Sequence, residues 1–434
     1  MKQSSHLQKY TRYYAAVHYL ETLGNITGGY QKTNPKSHPR PEIFLERMQG
    51  FLDRLGNPEK GFKYIHITGT AGKGSVAMLV HSNLVKAGKK AGIFTSPFTV
   101  STIEKIQVSS KYIDPLIFAD LTEELKPHID EEILHGRHGA PSYFEMMLAI
   151  ALLYFKTEKC GFVVLEVGLG GRYDATNIIK EPIITAITNI GLDHTHILGS
   201  RRIDIAKDKA GIIKKDSVFF STEEDQKILR IFKDQCVKVG AEYHDLNVKG
   251  LDYNQRNRLL AGSICISLGI IQSVTDIKSD IKLPARFETV NKQPLVIIDG
   301  AHNPSKIEST IYNLNQLKYR KLILVISISA DKDWKMMLRL IAPKAHEIYV
   351  TRFSVPGRQA VNPKLLFHEA QKYISILDSV HLFSDPIQAY KVALQKITSA
   401  DMLLVTGSFY LAGDIRSLYC SEEQILKNRN SSFL

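Results

Sequence analysis

The chain has 434 residues, of which 44% are hydrophobic and 23% are charged. A chain of this length is too long to fold around one ordinary hydrophobic core, so we expect a globular protein of two or three domains. The formal net charge of +12 is spread along the chain with no basic tail, which indicates a solvated surface excess and excludes an obvious nucleic-acid partner.

The sequence also carries no sign of a membrane segment or a secretory signal. It has no run of about 18 apolar residues, and residues 1–14 are polar. The four cysteines are scattered without a CxxC spacing, which predicts free thiols in a reducing cytosol. We therefore expect a cytoplasmic protein, monomeric and without a membrane partner.

Short β-branched runs alternate with helical patterns, which predicts a parallel α/β architecture. Apolar residues at helical spacing predict a helix from Val76 to Leu84 with Gly88 as its C-cap. Pro141 is predicted to begin a second apolar helix that runs to Phe155. The predicted strands are residues 64–68, 92–95, 162–167, 183–188, 218–221, 295–299, 322–327, 347–350 and 402–406.

A short polar segment, residues 279–284, separates a predicted helix at 258–272 from a new β-rich region. We therefore predict two domains, residues 1–283 and residues 284–434.

Residues 69–75 (GTAGKGS) lie between a predicted strand and a predicted helix, which is the setting of a phosphate-binding loop. Glycines let backbone N–H groups turn toward phosphate oxygens, and the helix N-terminus adds its positive dipole end. Lys73 would reach the terminal phosphates, and the Ser75 hydroxyl would meet Mg²⁺ or phosphate. Gly74 separates the lysine from the serine, so the loop is a variant of GxxxxGK[ST]; an incidental glycine-rich turn is the alternative.

Glu166 lies at the carboxyl end of the strand predicted at 162–167, which is followed by GLGGRYD (168–174). An acid at the carboxyl end of a parallel strand beside a phosphate loop is well placed to hold Mg²⁺, directly or through water. The GLGG run lacks the GxGxxG spacing of a dinucleotide fingerprint. A magnesium ligand is the favoured interpretation of Glu166.

The next predicted strand runs into a stretch that contains His194 and His196. An HxH pair can bind zinc, but no further ligand follows at a recognisable spacing. A core or capping histidine pair is a second alternative. The favoured interpretation places His194 in the same cleft as Glu166, because both follow parallel strands at their carboxyl ends.

Three more residues, Lys209, Asp299 and His302, are candidate site residues because of the sequence around them. Lys209 lies among small and apolar residues of a helix predicted at 205–214, although its spacing alone favours an ordinary surface lysine. Asp299 ends a buried-looking strand and is followed by His302, and such a cluster of polar groups indicates a site more than a requirement of the fold.

Together these motifs resemble the folylpolyglutamate synthase/dihydrofolate synthase family, a branch of the Mur ligases. The resemblance extends from Tyr19 to Arg416. Its motifs are GTAGKGS (69–75), TSP (95–97) with Glu104 downstream, SYFE (142–145), EVGLGGRYDATN (166–177), ITNIGLDHT (187–195), IAKDKAGIIK (205–214), RFE (286–288), DGAHNP (299–304), DKD (331–333) and GSFYLAGDIR (407–416).

The resemblance implies an α/β protein in which a P-loop parallel-sheet ATPase domain precedes a smaller Rossmann-like domain, with catalysis in the cleft between them. It implies ATP-dependent addition of L-glutamate to dihydropteroate, to the γ-carboxylate of tetrahydrofolate, or to both, through an acyl phosphate. The implied small-molecule partners are ATP, glutamate and the folate or dihydropteroate acceptor, with Mg²⁺ as cofactor.

The resemblance also implies roles for individual residues. Lys209 corresponds to the family's lysine that CO₂ carbamylates. His302 and Ser408 correspond to positions near the transferring phosphate and the incoming glutamate. The predicted catalytic residues are Lys73, Lys209, His302 and Ser408. Phe144 and Glu145 match a segment near the folate site. The implied magnesium ligands are Ser75, Ser96, Glu166 and His194. The implied ATP-binding residues are Gly69, Thr70, Gly72, Lys73, Gly74, Ser75, Asn257, Arg286 and Asp299.

Several positions depart from the family pattern without removing a phosphate or metal group. They are Ala71, Phe98, Ser101, Asp208, Ala285 and Ser327. Because several lie near the family's substrate loop, they bear on the acceptor more than on the reaction. A Mur-type ligase acting on a UDP-sugar peptide and a P-loop regulatory ATPase remain the alternatives.

Overall fold

The computed structural model describes residues 9–26, 41–277, 283–355, 358–374 and 379–432. The chain divides into two compact units. The first comprises Met1–Ser96 and Thr102–Ile281, and the second comprises Pro97–Ser101 and Lys282–Leu434. Most of the predicted linker, residues 279–284, lies outside the described residues. None of the described helices is long and apolar enough to cross a membrane.

Within the described residues, the first unit is built on an eight-stranded sheet in the order β4-β3-β2-β5-β1-β6-β7-β8. The sheet is parallel except at the β2–β3 and β3–β4 pairs. Its strands are β1 (Lys63–Thr68), β2 (Ala91–Phe94), β3 (Ile106–Val108), β4 (Lys111–Tyr112), β5 (Phe162–Glu166), β6 (Ile184–Ile187), β7 (Val218–Ser221) and β8 (Glu242–His244). The helices described in this unit are α1 (Thr11–Ile26), α2 (Ile43–Arg54), α3 (Lys73–Lys86), α4 (Pro115–His135), α5 (Tyr143–Thr157), α6 (Thr195–Leu198), α7 (Arg202–Lys209), α8 (Gln226–Val239) and α9 (Tyr253–Ser267).

The strand β1 lies at the centre of this sheet, between β5 and β6. It is buried from Tyr64 to Thr68, as expected for a parallel strand covered on both faces. Ile65 and Ile67 pack with apolar residues of α3 and α9. Because the three strands run in the same direction, the segments that leave the carboxyl ends of β1, β5 and β6 lie at one edge of the sheet.

The second unit is built on a six-stranded sheet in the order β13-β12-β11-β14-β10-β9, parallel except at β9. Alternate residues of its central strands belong to two separate cores, so helices cover both faces. Its described strands are β9 (Glu288–Lys292), β10 (Leu295–Ile298), β11 (Leu322–Ile326), β12 (Glu347–Val350), β13 (Val380–Leu382) and β14 (Met402–Thr406). Its described helices are α10 (Pro304–Leu314), α11 (Trp334–Ile341), α12 (Pro363–Ala370), α13 (Pro386–Lys396), α14 (Phe409–Arg416) and α15 (Glu422–Asn428).

The predicted strands are confirmed to within one residue at each end. Sequence patterns missed β3, β4, β8, β9 and β13. Of these, β3, β4, β8 and β13 have two or three residues, too few to show a period, while β9, of five residues, is mostly polar.

Helix boundaries are less accurate than strand boundaries. The prediction that Pro141 begins a helix is wrong, because α5 begins at Tyr143 and the Ser142 side chain caps it. The helix predicted at 205–214 begins earlier and ends at Lys209, where a 3₁₀ turn, Ala210–Ile212, follows. The helix predicted at 258–272 lies at Tyr253–Ser267, with Asp252 as its cap. Helix α3 has Ala87 as its C-cap, and Gly88 follows with φ of 74°.

Candidate active site

The predicted phosphate loop connects β1 to the N-terminus of α3. Gly72 occupies the N-cap position with φ of 83° and provides no side chain to bond the first-turn N–H groups. The first turn also contains no acidic residue. These N–H groups and the helix dipole therefore make a site for an anion. A Cβ at Gly72 would lie 2.4 Å from Asn257 Oδ1, so the predicted nucleotide residue Asn257 reaches the loop only because position 72 is glycine.

The segment that leaves β6 holds the loop in place. The Thr70 N–H donates to Asn189 O at 2.9 Å, and the Gly191 N–H donates to Thr70 Oγ1 at 2.9 Å. The Ala71 N–H donates to Asn189 Oδ1 at 2.9 Å. Thr70 is 2% exposed, so its side chain supports the loop from within the protein. Its predicted ATP contact stays a prediction, whereas its structural role follows from these bonds.

Two lysines converge on one carbonyl of the loop. Lys73 Nζ donates to Gly69 O at 3.1 Å, and Lys209 Nζ donates to the same oxygen at 3.0 Å. Lys209 also donates to Gly170 O at 3.4 Å and is 4% exposed. Burial, followed by the charge of Lys73, lowers the pKa of the Lys209 amine to about 7. Lys209 is therefore a buried amine with a lowered pKa, and not the surface lysine that its spacing alone suggested.

The loop after β5 brings Lys209 to this position. A Cβ at Gly171 would lie 2.8 Å from Lys209 Cα, so α7 packs directly on the glycine-rich segment. Asp174 fixes that segment by accepting from the Leu169 N–H at 2.8 Å and from the Thr176 hydroxyl at 2.6 Å. Burial raises the pKa of the Asp174 carboxyl, while these hydrogen bonds favour its charged form. Asp174 belongs to the motif of residues 166–177, but nothing in the sequence pattern predicts this supporting role.

Glu166 ends β5, beside the strand that carries the phosphate loop. Its side chain is 3% exposed, and Oε2 accepts from the Ser96 N–H at 3.1 Å. Ser75 lies in the first turn of α3. Carboxylate and hydroxyl oxygens are the ligands that Mg²⁺ prefers, so the donors offered by these three residues fit the predicted ion.

His194 fits this ion less well, because imidazole is not a preferred ligand of Mg²⁺. It adopts a left-handed backbone conformation at the start of α6, and its Nε2 lies 3.8 Å from Asp193 Oδ1. Across the described ranges, no group of three His, Cys, Asp or Glu side chains is placed to hold a metal. The zinc alternative for His194 and His196 therefore receives no support.

The two predicted acceptor residues lie at the start of α5. The Phe144 ring packs over Gly168, where a Cβ would lie 2.7 Å from Phe144 Cζ. Glu145 is 3% exposed, accepts from the Ser142 N–H and forms a two-nitrogen ion pair with Arg47. The structure thus gives the Glu145 carboxylate a structural role, and its substrate contact stays a prediction.

In the second unit, Asp299 directly follows β10. Its Oδ1 accepts from the Ala301 N–H and its Oδ2 from the Phe287 N–H, both at 2.7 Å. Burial raises the pKa of the Asp299 carboxyl, and the bonds and the Arg286 charge oppose that shift. Asp299 therefore holds the turn that presents Arg286, in which Ala285 and Phe287 have positive φ.

Two other predicted residues of this unit, Arg286 and His302, lie against the ring of Phe409. The Arg286 guanidinium lies 5.1 Å from its centroid, and the His302 ring lies 5.4 Å away. Ser408, 1% exposed, caps α14 by accepting from the Leu411 N–H at 3.1 Å. Lys306, which the sequence patterns did not single out, donates to His302 Nε2 at 2.9 Å.

Comparison with known proteins agrees with this arrangement. The Mur ligase middle domain matches residues 67–292, and the Mur ligase glutamate ligase domain matches residues 285–409. A Bacillus subtilis protein named dihydrofolate synthase/folylpolyglutamate synthase is 31% identical over 412 residues, covering 86% of this chain and 94% of its own.

The chain belongs to the folylpolyglutamate synthase/dihydrofolate synthase family of Mur ligases.

Solved structures of this family share the fold. The Mycobacterium tuberculosis folylpolyglutamate synthase complexed with ADP has a TM-score of 0.81 at 26% identity, covering 93% of this chain and 98% of that one. A bifunctional folylpolyglutamate synthase/dihydrofolate synthase with Mn, AMPPNP and L-glutamate bound has a TM-score of 0.73 at 26% identity, covering 86% and 93%. The predicted fold class and the predicted class of enzyme, an ATP-dependent ligase, are confirmed.

Within each unit, the structure brings most of the predicted residues together. The first unit places Lys209 and Asn257 at the phosphate loop, and Ser96 at Glu166. The second places Arg286 and His302 around Phe409. The catalytic and ligand-binding roles of these residues stay predictions.

Proposed function

We propose that this ligase is bifunctional, adding L-glutamate both to dihydropteroate and to the γ-carboxylate of tetrahydrofolate. ATP is converted to ADP and phosphate in each reaction. The observation that carries the ATP-dependent step is the uncapped N-terminus of α3 with two lysines on Gly69 O. The bifunctional name of the Bacillus subtilis relative supports the choice of acceptors.

A carboxylate does not form an amide with an amine at neutral pH until one of its oxygens becomes a leaving group. An acceptor oxygen takes the γ-phosphoryl group of ATP, the bond from that group to the ADP oxygen breaks, and an acyl phosphate results. Phosphoryl transfer depends mainly on positioning and on neutralising charge. The N–H groups of α3 and the Lys73 ammonium perform these tasks, and Mg²⁺, when held by Ser75, Ser96 and Glu166, adds a divalent charge.

The glutamate amine then attacks the acyl carbon, and the carbon–oxygen bond to phosphate breaks. In this proposal the second unit supplies the residues for this step. His302 accepts the proton of the amine, and Ser408 fixes the start of α14, where Phe409 supports the His302 ring.

The proposal is tested by measuring phosphate release from ATP with each acceptor, in the presence and absence of glutamate. We expect release only when glutamate is combined with dihydropteroate or with tetrahydrofolate, together with a product that is one glutamate heavier. Activity with a single acceptor would contradict the bifunctional assignment. Turnover with a UDP-sugar peptide, or turnover without any acceptor, would contradict the assignment to folate.

We further propose that CO₂ carbamylates Lys209, as the resemblance implies. The uncharged amine attacks CO₂, loses a proton and becomes a carbamate anion. The lowered pKa of about 7 supports this reaction, because only the uncharged amine is nucleophilic. An anion at this position would also replace the repulsion between Lys209 and Lys73 by attraction.

We expect ¹³C-labelled bicarbonate to give a carbamate NMR signal that the Lys209→Ala variant lacks. This variant should lose most of its activity and regain part of it with a short carboxylate such as acetate, which would replace the missing anion. Lys207→Ala is the matched control, because Lys207 lies on the same helix and is exposed. A fully active Lys209→Ala variant would show that no carbamate is needed.

A further inference from the structure

The His302 ring lies between two hydrogen-bond partners of opposite kind. Its Nδ1 is 2.8 Å from Gly300 O, and its Nε2 is 2.9 Å from Lys306 Nζ. A carbonyl oxygen can only accept, so Nδ1 carries the hydrogen. An ammonium can only donate, so Nε2 presents its lone pair. The geometry therefore describes a neutral imidazole in the Nδ1–H form.

Local structure fixes both members of this pair. Lys306 lies in the first turn of α10, and His302 comes directly before Asn303, the N-cap of that helix. Asn303, 1% exposed, anchors the turn by accepting from the Lys306 N–H at 2.9 Å. The Phe409 ring lies against the imidazole from α14.

We infer that Lys306 is a positioning residue for glutamate transfer, which holds His302 as the neutral Nδ1–H imidazole by donating to its Nε2 until the amine proton is transferred. The inference rests on the proposed function. In the step concerned, the amine nitrogen bonds to the acyl carbon, and the electron pair of the broken carbon–oxygen bond leaves with phosphate. The Lys306 ammonium gives up its hydrogen bond to Nε2, and the amine proton passes to the lone pair that this frees.

The charge of Lys306 is what prevents earlier protonation of this ring. A positive group within hydrogen-bond distance disfavours a second positive charge on the imidazole. The Arg286 guanidinium, which also lies against the Phe409 ring, likewise disfavours a positive charge on the imidazole. The Asp299 carboxylate favours such a charge, but its two oxygens accept from the Phe287 and Ala301 N–H groups. Lys306 Nζ is in direct contact with Nε2, at 2.9 Å.

The first test is ¹⁵N NMR of the histidine rings at about pH 6.5, where an ordinary histidine is half protonated. The His302 signal is assigned as the one that His302→Gln lacks. We expect an unprotonated Nε2 in the wild-type protein and a substantial imidazolium fraction in Lys306→Met. Lys318→Met, which removes an exposed lysine, should leave the ring neutral. An unchanged His302 signal in Lys306→Met would overturn the inference.

The second test is kinetic. Losing a hydrogen bond to a charged group should lower kcat of Lys306→Met by about tenfold to a hundredfold. The KM for ATP should stay unchanged, and Lys306→Arg should restore most of the activity. Equal loss in Lys306→Met and Lys306→Arg, or a loss seen only in the KM for ATP, would contradict the role. The NMR result requires no turnover, so it stands apart from a failure of the proposed function.

Discussion

Replacing Lys73 with alanine is expected to lower kcat by about a hundredfold to a thousandfold or more, even at saturating ATP. A single donor that stabilises developing charge commonly contributes about 2.7–4 kcal/mol to catalysis, and Lys73 supplies a full charge at the loop that would hold the transferred phosphoryl group. Steady-state release of phosphate, with glutamate and acceptor both present, measures this effect.

Lys86→Ala provides the matched control. Lys86 lies at the last turn of the same helix and is exposed, so the substitution removes the same charge from α3 without touching the phosphate loop. We expect its kcat to equal that of the wild type. If Lys73→Ala turned over at the wild-type rate, the loop of residues 69–75 could not be the site of phosphoryl transfer.

Local sequence patterns identified the phosphate loop and the strand that ends at Glu166. The information needed is local in both cases. Glycine and lysine between a strand and a helix are recognisable without knowing the rest of the fold, and residues 162–165 of the second strand form a continuous apolar run. The order of strands in the sheet then follows from nonlocal packing.

The roles of Thr70, Glu145 and Lys209 depend on partners that are distant in the sequence. The Thr70 hydroxyl accepts from the Gly191 N–H, and the Glu145 carboxylate pairs with Arg47, so both side chains have partners within the protein. Lys209 is buried because the glycine-rich loop packs on its backbone. The spacing of residues within one helix does not predict these neighbours. Spacing alone therefore predicts a surface lysine at position 209, and only the resemblance to the family indicates a residue of the site.

The short segment Pro97–Ser101 also has a partner that is distant in the sequence, in the other unit of the chain from the residues that precede it. The segment follows Ser96 directly but belongs to the second unit. There Thr99 O packs against Gly413, where a Cβ would lie only 2.1 Å from that oxygen. Nothing in the pattern of residues 95–101 indicates that partner. A motif can thus be recognised while its place in the fold stays undetermined.

A buried ion pair joins two of the family motifs in the second unit. Arg416, from GSFYLAGDIR, is 1% exposed, and its Nε and Nη2 donate to the two carboxylate oxygens of Glu288, from RFE, at 2.8 and 3.0 Å. Glu288 Oε2 also accepts from the Ala285 N–H, and Arg416 Nη2 donates to Ser431 O. The pair therefore holds the turn before Arg286 and the C-terminal segment together.

Arg416→Met is expected to lower the free energy of unfolding of this unit by about 3–5 kcal/mol, because it leaves the Glu288 charge buried without its partner. Urea unfolding followed by circular dichroism measures the loss as a lower midpoint. The double variant Arg416→Met/Glu288→Met removes both charges, so it should be considerably more stable than Arg416→Met alone.

Arg320→Met removes the arginine of a second ion pair, one whose arginine is exposed to solvent. Arg320 donates to both carboxylate oxygens of Asp401 at 3.0 and 3.1 Å, in the same two-bond arrangement, but its side chain is 59% exposed. Asp401 is itself buried, at 3% exposed, but after the substitution it keeps hydrogen bonds from the Thr398 N–H and hydroxyl. The lost arginine is also largely solvated, so the midpoint should fall less than in Arg416→Met. Equal losses in the two variants would mean that neither the exposure of the arginine nor the hydrogen bonds that remain on the carboxylate determine the loss of stability.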